Sequence, residues 1–101
     1  MQKKAEQVKL LDIREFSSIA DYFFLCSGTS DRQVTTIAEN IIDNLKKLHI
    51  KPRGIEGIRQ GRWIVIDYTD IVVHIFYQPV REFYEIDELW SSAVELKVSE
   101  K

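Results

Sequence analysis

The sequence predicts a small α/β (α+β) domain whose mixed, five-stranded sheet carries its helices mainly on one face, and three features predict it. Gly61 to Pro79, GRWIVIDYTDIVVHIFYQP, holds two strongly β-forming runs, Trp63 to Asp67 and Ile71 to Tyr77, folded back on each other about Tyr68-Thr69. Tyr22 to Cys26, YFFLC, is an unbroken apolar run suited to a central strand covered on both faces, and it leads into a capped amphipathic helix. After Pro79 the apolar spacing returns to helical. At 101 residues, 45% hydrophobic and 30% charged, the chain suits one domain spanning residues 1–101.

Taken in order, Val8 to Ile13 is a short strand candidate, and Ser17, Ser18 and Asp21 then reverse the chain. After the Tyr22 run, Ser30 is a good N-cap, Gln33 completes a capping box and Asp31 favours the positive end of the helix dipole. Val34, Ile37, Ala38, Ile41, Ile42, Leu45 and Leu48 recur at helical spacing and form the buried stripe, leaving Glu39, Asn40, Asp43, Lys46 and Lys47 in water. His49 to Gly61 connects, with Gly54 to Gly57 as a short edge strand inside it. Val80, Phe83 and Tyr84 are out of helical phase with Ile86, Leu89 and Trp90, which predicts two short helical pieces meeting at an angle. Ser91 to Lys101 extends the second piece or frays.

The hairpin is the most informative stretch. With a loop of two or four residues its direct pairs are Ile66 with Ile71, Val65 with Val72, Ile64 with Val73 and Trp63 with His74. One face then collects Ile64, Ile66, Ile71, Val73 and Ile75, which is core. The other collects Trp63, Val65, Asp67, Asp70, Val72 and His74, a mixture that reads as a working surface on a largely open face of the sheet.

Composition narrows the function classes. One cysteine, Cys26, excludes an internal disulfide framework and reads as a buried thiol. No apolar run approaches the roughly 20 residues of a membrane span, and the start has no export signal, so a soluble, intracellular protein is expected. Residues 1–53 hold nine Lys/Arg against seven Asp/Glu, a balance of +2, whereas residues 54–101 hold five against nine, a balance of −4. An acidic half argues against a direct nucleic-acid surface and suits a basic protein partner.

Several residues carry competing readings. Asp67 and Asp70 are turn formers first, then binding residues, and lastly a Mg²⁺ pair of the kind that a nucleotidyltransferase would need, although no third carboxylate is aligned with them. The Ser27-Gly28-Thr29-Ser30 loop reads as helix capping rather than a phosphate cradle, since it lacks a following Lys and has Asp31 in the way. His74 reads as a hydrogen-bonded strand histidine ahead of a general base, and His49 as a partner of the helix C-terminus. Trp63 is either a protein-binding anchor or packed beneath the C-terminal helices, and Trp90 belongs to the core.

Ala20 to Val34 (ADYFFLCSGTSDRQV), Glu56-Gly57, Trp63 to Phe76, Arg81-Glu82-Phe83-Tyr84 and Leu89-Trp90 together resemble the Iojap-like ribosomal silencing factor family, over nearly the whole chain from about Lys4 to Trp90. The resemblance implies a nucleotidyltransferase-like fold without its catalytic set, and a non-enzymatic translation repressor with no cofactor and no metal. It also implies binding to the large ribosomal subunit through ribosomal protein fourteen, where the factor blocks joining of the small subunit. The alternative is a Mg²⁺-dependent nucleotidyltransferase. Carried onto this chain, the docking surface comprises Trp63 and Val65 as apolar anchors, Glu56, Asp67 and Asp70 as the acidic set and Tyr68 at the rim. The expected location is the cytoplasm, or an organelle matrix in a eukaryote, and a homodimer is left open. Two departures stand out: the leading helix usual in the family is absent, and Thr69 occupies a turn position where the family commonly has glycine.

Overall fold

A computed structural model describes residues 5–97. Its elements are β1 (Glu6–Asp12), β2 (Tyr22–Gly28), α1 (Asp31–Lys47), β3 (Gly54–Glu56), β4 (Trp63–Asp67), β5 (Ile71–Tyr77), α2 (Gln78–Phe83), α3 (Ile86–Leu89) and β6 (Val94–Leu96). The strands form one sheet in the order β3-β4-β5-β2-β1-β6, with β2 and β5 parallel and the other neighbours antiparallel. The mixed sheet is thus as expected, but it has six strands rather than five. The segment expected to extend a helix or fray instead places Val94–Leu96 against Leu10 to Asp12 of β1.

α1 begins at the expected N-cap, Ser30, with the Gln33 side chain reaching back one residue further than a capping box does, to Thr29. Ser30 Oγ accepts the Gln33 N–H at 3.0 Å, and Gln33 Oε1 accepts the Thr29 N–H at 2.5 Å. It ends in a Schellman motif, with Ile50 N–H donating to Leu45 O and His49 N–H to Lys46 O. His49 stands at φ 65, where glycine is usual. Val34, Ile37 and Ala38 are buried and Ile41 and Ile42 pack half-buried beside them, but Leu48 is 66% exposed because the helix has already turned away.

α1 lies over a purely apolar sheet face, where Cys26, Ile64, Ile66, Val73 and Ile75 meet Val34, Ile37 and Ala38. The opposite face holds a second core of Leu11, Ile13, Ala20, Leu25, Val72, Phe76 and Ile86, with Phe23, Trp63, Val65, Val80 and Trp90 partly buried against it. That face is therefore not left open: α2 and α3 cover part of it. The angle between the two helices is made at Glu85, a left-handed residue at φ 51.

The hairpin register differs from the expected one by two residues. Observed pairs are Trp63 with Phe76, Ile64 with Ile75, Val65 with His74, Ile66 with Val73 and Asp67 with Val72. The turn is built around Thr69-Asp70: Tyr68 N–H donates to Ile71 O, and Asp70 N–H donates to Tyr68 O across Thr69 at φ 77. Asp67 Oδ1 accepts the Thr69 N–H at 2.7 Å and so supports this β-branched residue in a region it enters rarely. A shift of two residues leaves the paired side chains on their expected faces, because the side-chain period of a strand is also two, but Ile71, expected in the core, is 38% exposed at the hairpin end.

Candidate functional site

The candidate surface lies on the α2–α3 side, where the antiparallel pairing aligns Glu56, Val65 and His74 across β3, β4 and β5. Gly57 sets the approach of β3. Its φ is 83, and a Cβ there would collide with the Trp63 carbonyl, so only glycine brings Glu56 so close to the tryptophan strand. Glu56 is exposed and Val65 half-buried.

Trp63 packs beneath the C-terminal helices, one of the two roles considered for it. Its ring packs on Phe76 at 5.0 Å and Tyr84 at 5.8 Å between centroids, and Nε1–H donates to His74 Nδ1 at 3.1 Å. The side chain is half-buried, so one part belongs to the core beneath α2. Because His74 Nδ1 accepts that bond, the neutral ring carries its proton on Nε2. Burial lowers the His74 pKa to about 4, so the ring is neutral at pH 7. Nε2 is itself buried, with no hydrogen-bond partner among the described residues. Phe23 stands edge-on to His74 at 4.5 Å and to Trp90 at 4.9 Å, which extends the aromatic row from Tyr84 to Trp90. His74 is thus a structural strut, as its strand position suggested.

These rings border a pocket of about 240 Å³ lined by Phe23, Trp63, His74, Phe76, Leu89 and Trp90, together with Leu25 and Ile86. Around its mouth stand large apolar groups in water: Phe83 is 78% exposed, Leu89 69% and Tyr84 55%. Glu82, Glu85 and Glu88 are exposed between them. An exposed aromatic and aliphatic cluster with a charged border is the composition of a protein-docking surface.

A buried cation fixes the helices that carry this cluster. Arg81 is 2% exposed; its Nη1 donates to Ser27 Oγ and to Gln7 O, both at 2.9 Å. Its Nε and Nη2 form a two-pronged bond to Asp87 at 3.0 and 2.8 Å, and Lys9 Nζ lies 3.1 Å from the same carboxylate. The Arg81 bonds hold the Asp87 pKa below its ordinary value. The carbonyl of Gln7 is available because β1 bulges there, with Gln7 at φ 53 and a register shift between Glu6 and Lys9.

The remaining candidate residues fall elsewhere. Asp67 is at the far end of β4 from Trp63, about 13 Å along the strand. Its carboxylate pairs with Arg53 at 3.0 Å and caps the Thr69 turn, so it is a turn former with a partner already in place. Asp70 is exposed at the hairpin tip, and its carbonyl accepts the N–H groups of Asp21 and Tyr22. Tyr68 does not sit at the rim: it packs against the α1-side core, where burial raises its pKa. The structure thus brings Glu56, Trp63 and Val65 together and leaves Asp67, Asp70 and Tyr68 apart. The sequence reading missed Phe83, Tyr84 and Leu89 because their spacing looks like a core stripe; the glutamates between them were the available signal.

Catalytic arrangements find little support in this geometry. Burial pushes the Cys26 thiol up to about 12, Ser27 is buried against Arg81, and Ser30 caps α1. Among the described residues no group of three or more His, Cys, Asp or Glu is placed to hold a metal ion, and no helix is long and apolar enough to cross a membrane.

Residues 1–101 match the family described as "Ribosomal silencing factor during starvation". A Bacillus subtilis protein named ribosomal silencing factor RsfS is 40% identical over 91 residues, covering 90% of this chain and 77% of that protein. The chloroplastic protein Iojap of Arabidopsis thaliana is 23% identical over 95 residues, covering 94% of this chain and 40% of its own length. A crystal structure from Bacillus halodurans superposes with a TM-score of 0.83 at 35% identity, covering 95% of this chain and 87% of that one.

Proposed function

The chain belongs to the ribosomal silencing factor family, and from that premise we propose that it represses translation by docking on the large ribosomal subunit through ribosomal protein fourteen. Occupying that face blocks joining of the small subunit, and the protein acts by steric exclusion rather than by chemistry. Residues 1–101 act as one silencing-factor domain, in the cytoplasm or in the matrix of an organelle.

The observation that carries this reading is the exposed cluster of Tyr84, Phe83 and Leu89 around half-buried Trp63 and Val65, bordered by glutamates. It supports a basic, protein partner: aromatic and aliphatic groups supply desolvation energy, and the carboxylates select for positive charge. The Mg²⁺-dependent nucleotidyltransferase alternative is disfavoured because Asp67 is committed to Arg53 and to the Thr69 turn. Calorimetric titration with Mg²⁺ and a nucleoside triphosphate is expected to give no heat of binding.

The direct test is sedimentation of the protein with isolated large subunits, followed by a subunit-joining assay. The protein is expected to travel with large subunits and to lower the yield of joined ribosomes in proportion to occupancy. Unimpaired joining at saturating protein would remove the proposal. Within the surface, Val65→Glu is the informative change, because Val65 bears on the fold less than Trp63 does. Trp63→Ala would disturb the core and the docking face together.

A further inference from the structure

The sheet ends in two edge strands, and they are protected unequally. At β3 the strand is three residues long, follows Pro52, is tied at its start by the Arg53–Asp67 ion pair and stops at Gly57 with φ 83. At β6 no proline, glycine or left-handed residue intervenes, and the outer side of Val94–Leu96 faces no strand among the described residues. We infer that the β6 edge is a self-association surface, on which β6 of a second copy of this chain pairs antiparallel and continues the sheet across a two-fold axis. The inference is independent of the docking reading above, because it uses none of the residues of the aromatic cluster.

The edge is open to such a partner. α1 packs chiefly on β2, β4 and β5 and leaves the β1–β6 half of its sheet face bare, with Leu10 and Leu96 only half-buried and Val94 62% exposed. Beside them Phe16 is 51% exposed, across a pocket of about 320 Å³ that Val94 also lines. These apolar groups stand in water at the end of a sheet whose last strand has backbone donors and acceptors still to satisfy.

Alternation and charge select the occupant and its register. Leu96 pairs with Leu10 and Glu95 with Leu11, and Leu11 belongs to the core on the α2–α3 side. Glu95 and Lys97 therefore lie on that side, whereas Val94 and Leu96 lie on the α1 side. Neither Glu95 nor Lys97 makes an ion pair among the described residues. A two-fold axis centred on Leu96 sets Leu96 against its own copy and, at two symmetric contacts, Glu95 against Lys97 of the second copy, so that apolar groups meet on one side and opposite charges on the other. Centring the axis one residue earlier would oppose Glu95 to itself. The edge thus complements itself in one register and repels itself in the next. So short a strand buries little area, and the dimer is accordingly a weak one that forms at high protein concentration.

Sedimentation equilibrium of the full chain over a wide range of concentration supplies the test. Wild type is expected to reach the mass of a dimer reversibly. Glu95→Lys and Lys97→Glu each oppose like charges at both symmetric contacts, and each is expected to raise the dimer Kd about fivefold to tenfold. The double variant, Glu95→Lys with Lys97→Glu, restores opposite pairs in the same register and is expected to return the Kd to within about twofold of wild type. Lys46→Glu, on the exposed face of α1, changes the net charge as Lys97→Glu does and is expected to dimerise as wild type does. Circular dichroism is expected to be unchanged in all of them, since each altered side chain is exposed.

A protein that stays monomeric at the highest concentration overturns the inference and leaves the edge to a strand of another protein. A dimer that neither single change weakens, or that the double variant fails to restore, overturns it too, because the copies then meet through another surface or register. Equal weakening by Lys46→Glu would trace the effect to net charge and overturn it as well.

Discussion

The two faces of the sheet are built in different ways. On the α1 side a 17-residue helix closes over Cys26, Ile64, Ile66, Val73 and Ile75, every one at most 5% exposed and none charged. On the α2–α3 side the cover is two helices of six and four residues, too short to be stable alone, and the contact is fixed by Arg81, Asp87, Ser27 and the Trp63–His74 bond. The first face is held by area alone, the second by a core that includes Ile86 together with specific polar bonds and ring contacts. The difference teaches where function is free to sit. A face held at a few points can leave Phe83, Tyr84 and Leu89 in water and remain ordered.

That contrast can be broken at its strongest polar point. Asp87→Ala leaves the Arg81 charge buried with only Ser27 and the Gln7 carbonyl, and is expected to lower unfolding free energy by about 3–5 kcal/mol in urea titration. A near-neutral result would mean that α2 and α3 are held by area after all. On the other face, Ile64→Ala removes fully buried methyl groups and is expected to cost about 2–4 kcal/mol by the same measurement.

Acidification sharpens the comparison, because His74 on the α2–α3 face is buried in its neutral form. The folded-state pKa of His74 is depressed to about 4 by burial, so below about 6.5 the unfolded chain takes up a proton that the folded chain refuses. Its share of stability is complete above about pH 6.5 and is lost as the pH falls toward 4. Wild type is expected to lose roughly 1–3 kcal/mol more than His74→Asn between pH 7 and pH 4.5, followed by urea unfolding at each pH. Parallel profiles would show that the ring is not buried neutral. Smaller still, Trp63→Phe keeps the ring and deletes the N–H to His74 Nδ1, for an expected loss of about 1 kcal/mol. Smallest of all, Leu89→Glu is expected to leave stability within about 0.5 kcal/mol.

Much of this division was legible from alternation. Odd positions Trp63 and Val65 and even positions Ile64 and Ile66 fell on the faces assigned to them, and they did so although the register moved by two residues. The register itself was hidden because it depends on Thr69 adopting φ 77, which the Asp67 carboxylate makes tolerable and residue preference argues against. Tyr68 was misplaced against its own pattern: two residues after Ile66, it belongs to the α1 face, where it is found.

β6 escaped notice because three largely exposed residues, Val94-Glu95-Leu96, carry no periodic signal and pair only through β1. Arg81 escaped for the opposite reason. A guanidinium is expected in water, and only the fold brings Ser27, Gln7 and Asp87 around it from positions 54, 74 and 6 residues away in sequence. The docking cluster lay between these cases, since helical spacing placed Phe83, Tyr84 and Leu89 on one element but could not show that the element is too short and too steeply angled to bury them.

The central claim is that one face holds the fold while the other meets the ribosome, and a subunit-joining assay with a matched pair of variants tests it most directly. Ile64→Val weakens the α1 face by about 1 kcal/mol without reaching the surface, and Val65→Glu, one residue away, alters the docking face. With each protein at saturation for wild type, Ile64→Val is predicted to block joining as wild type does and Val65→Glu to leave joining intact. Equal inhibition by both variants, or none by wild type, would contradict it.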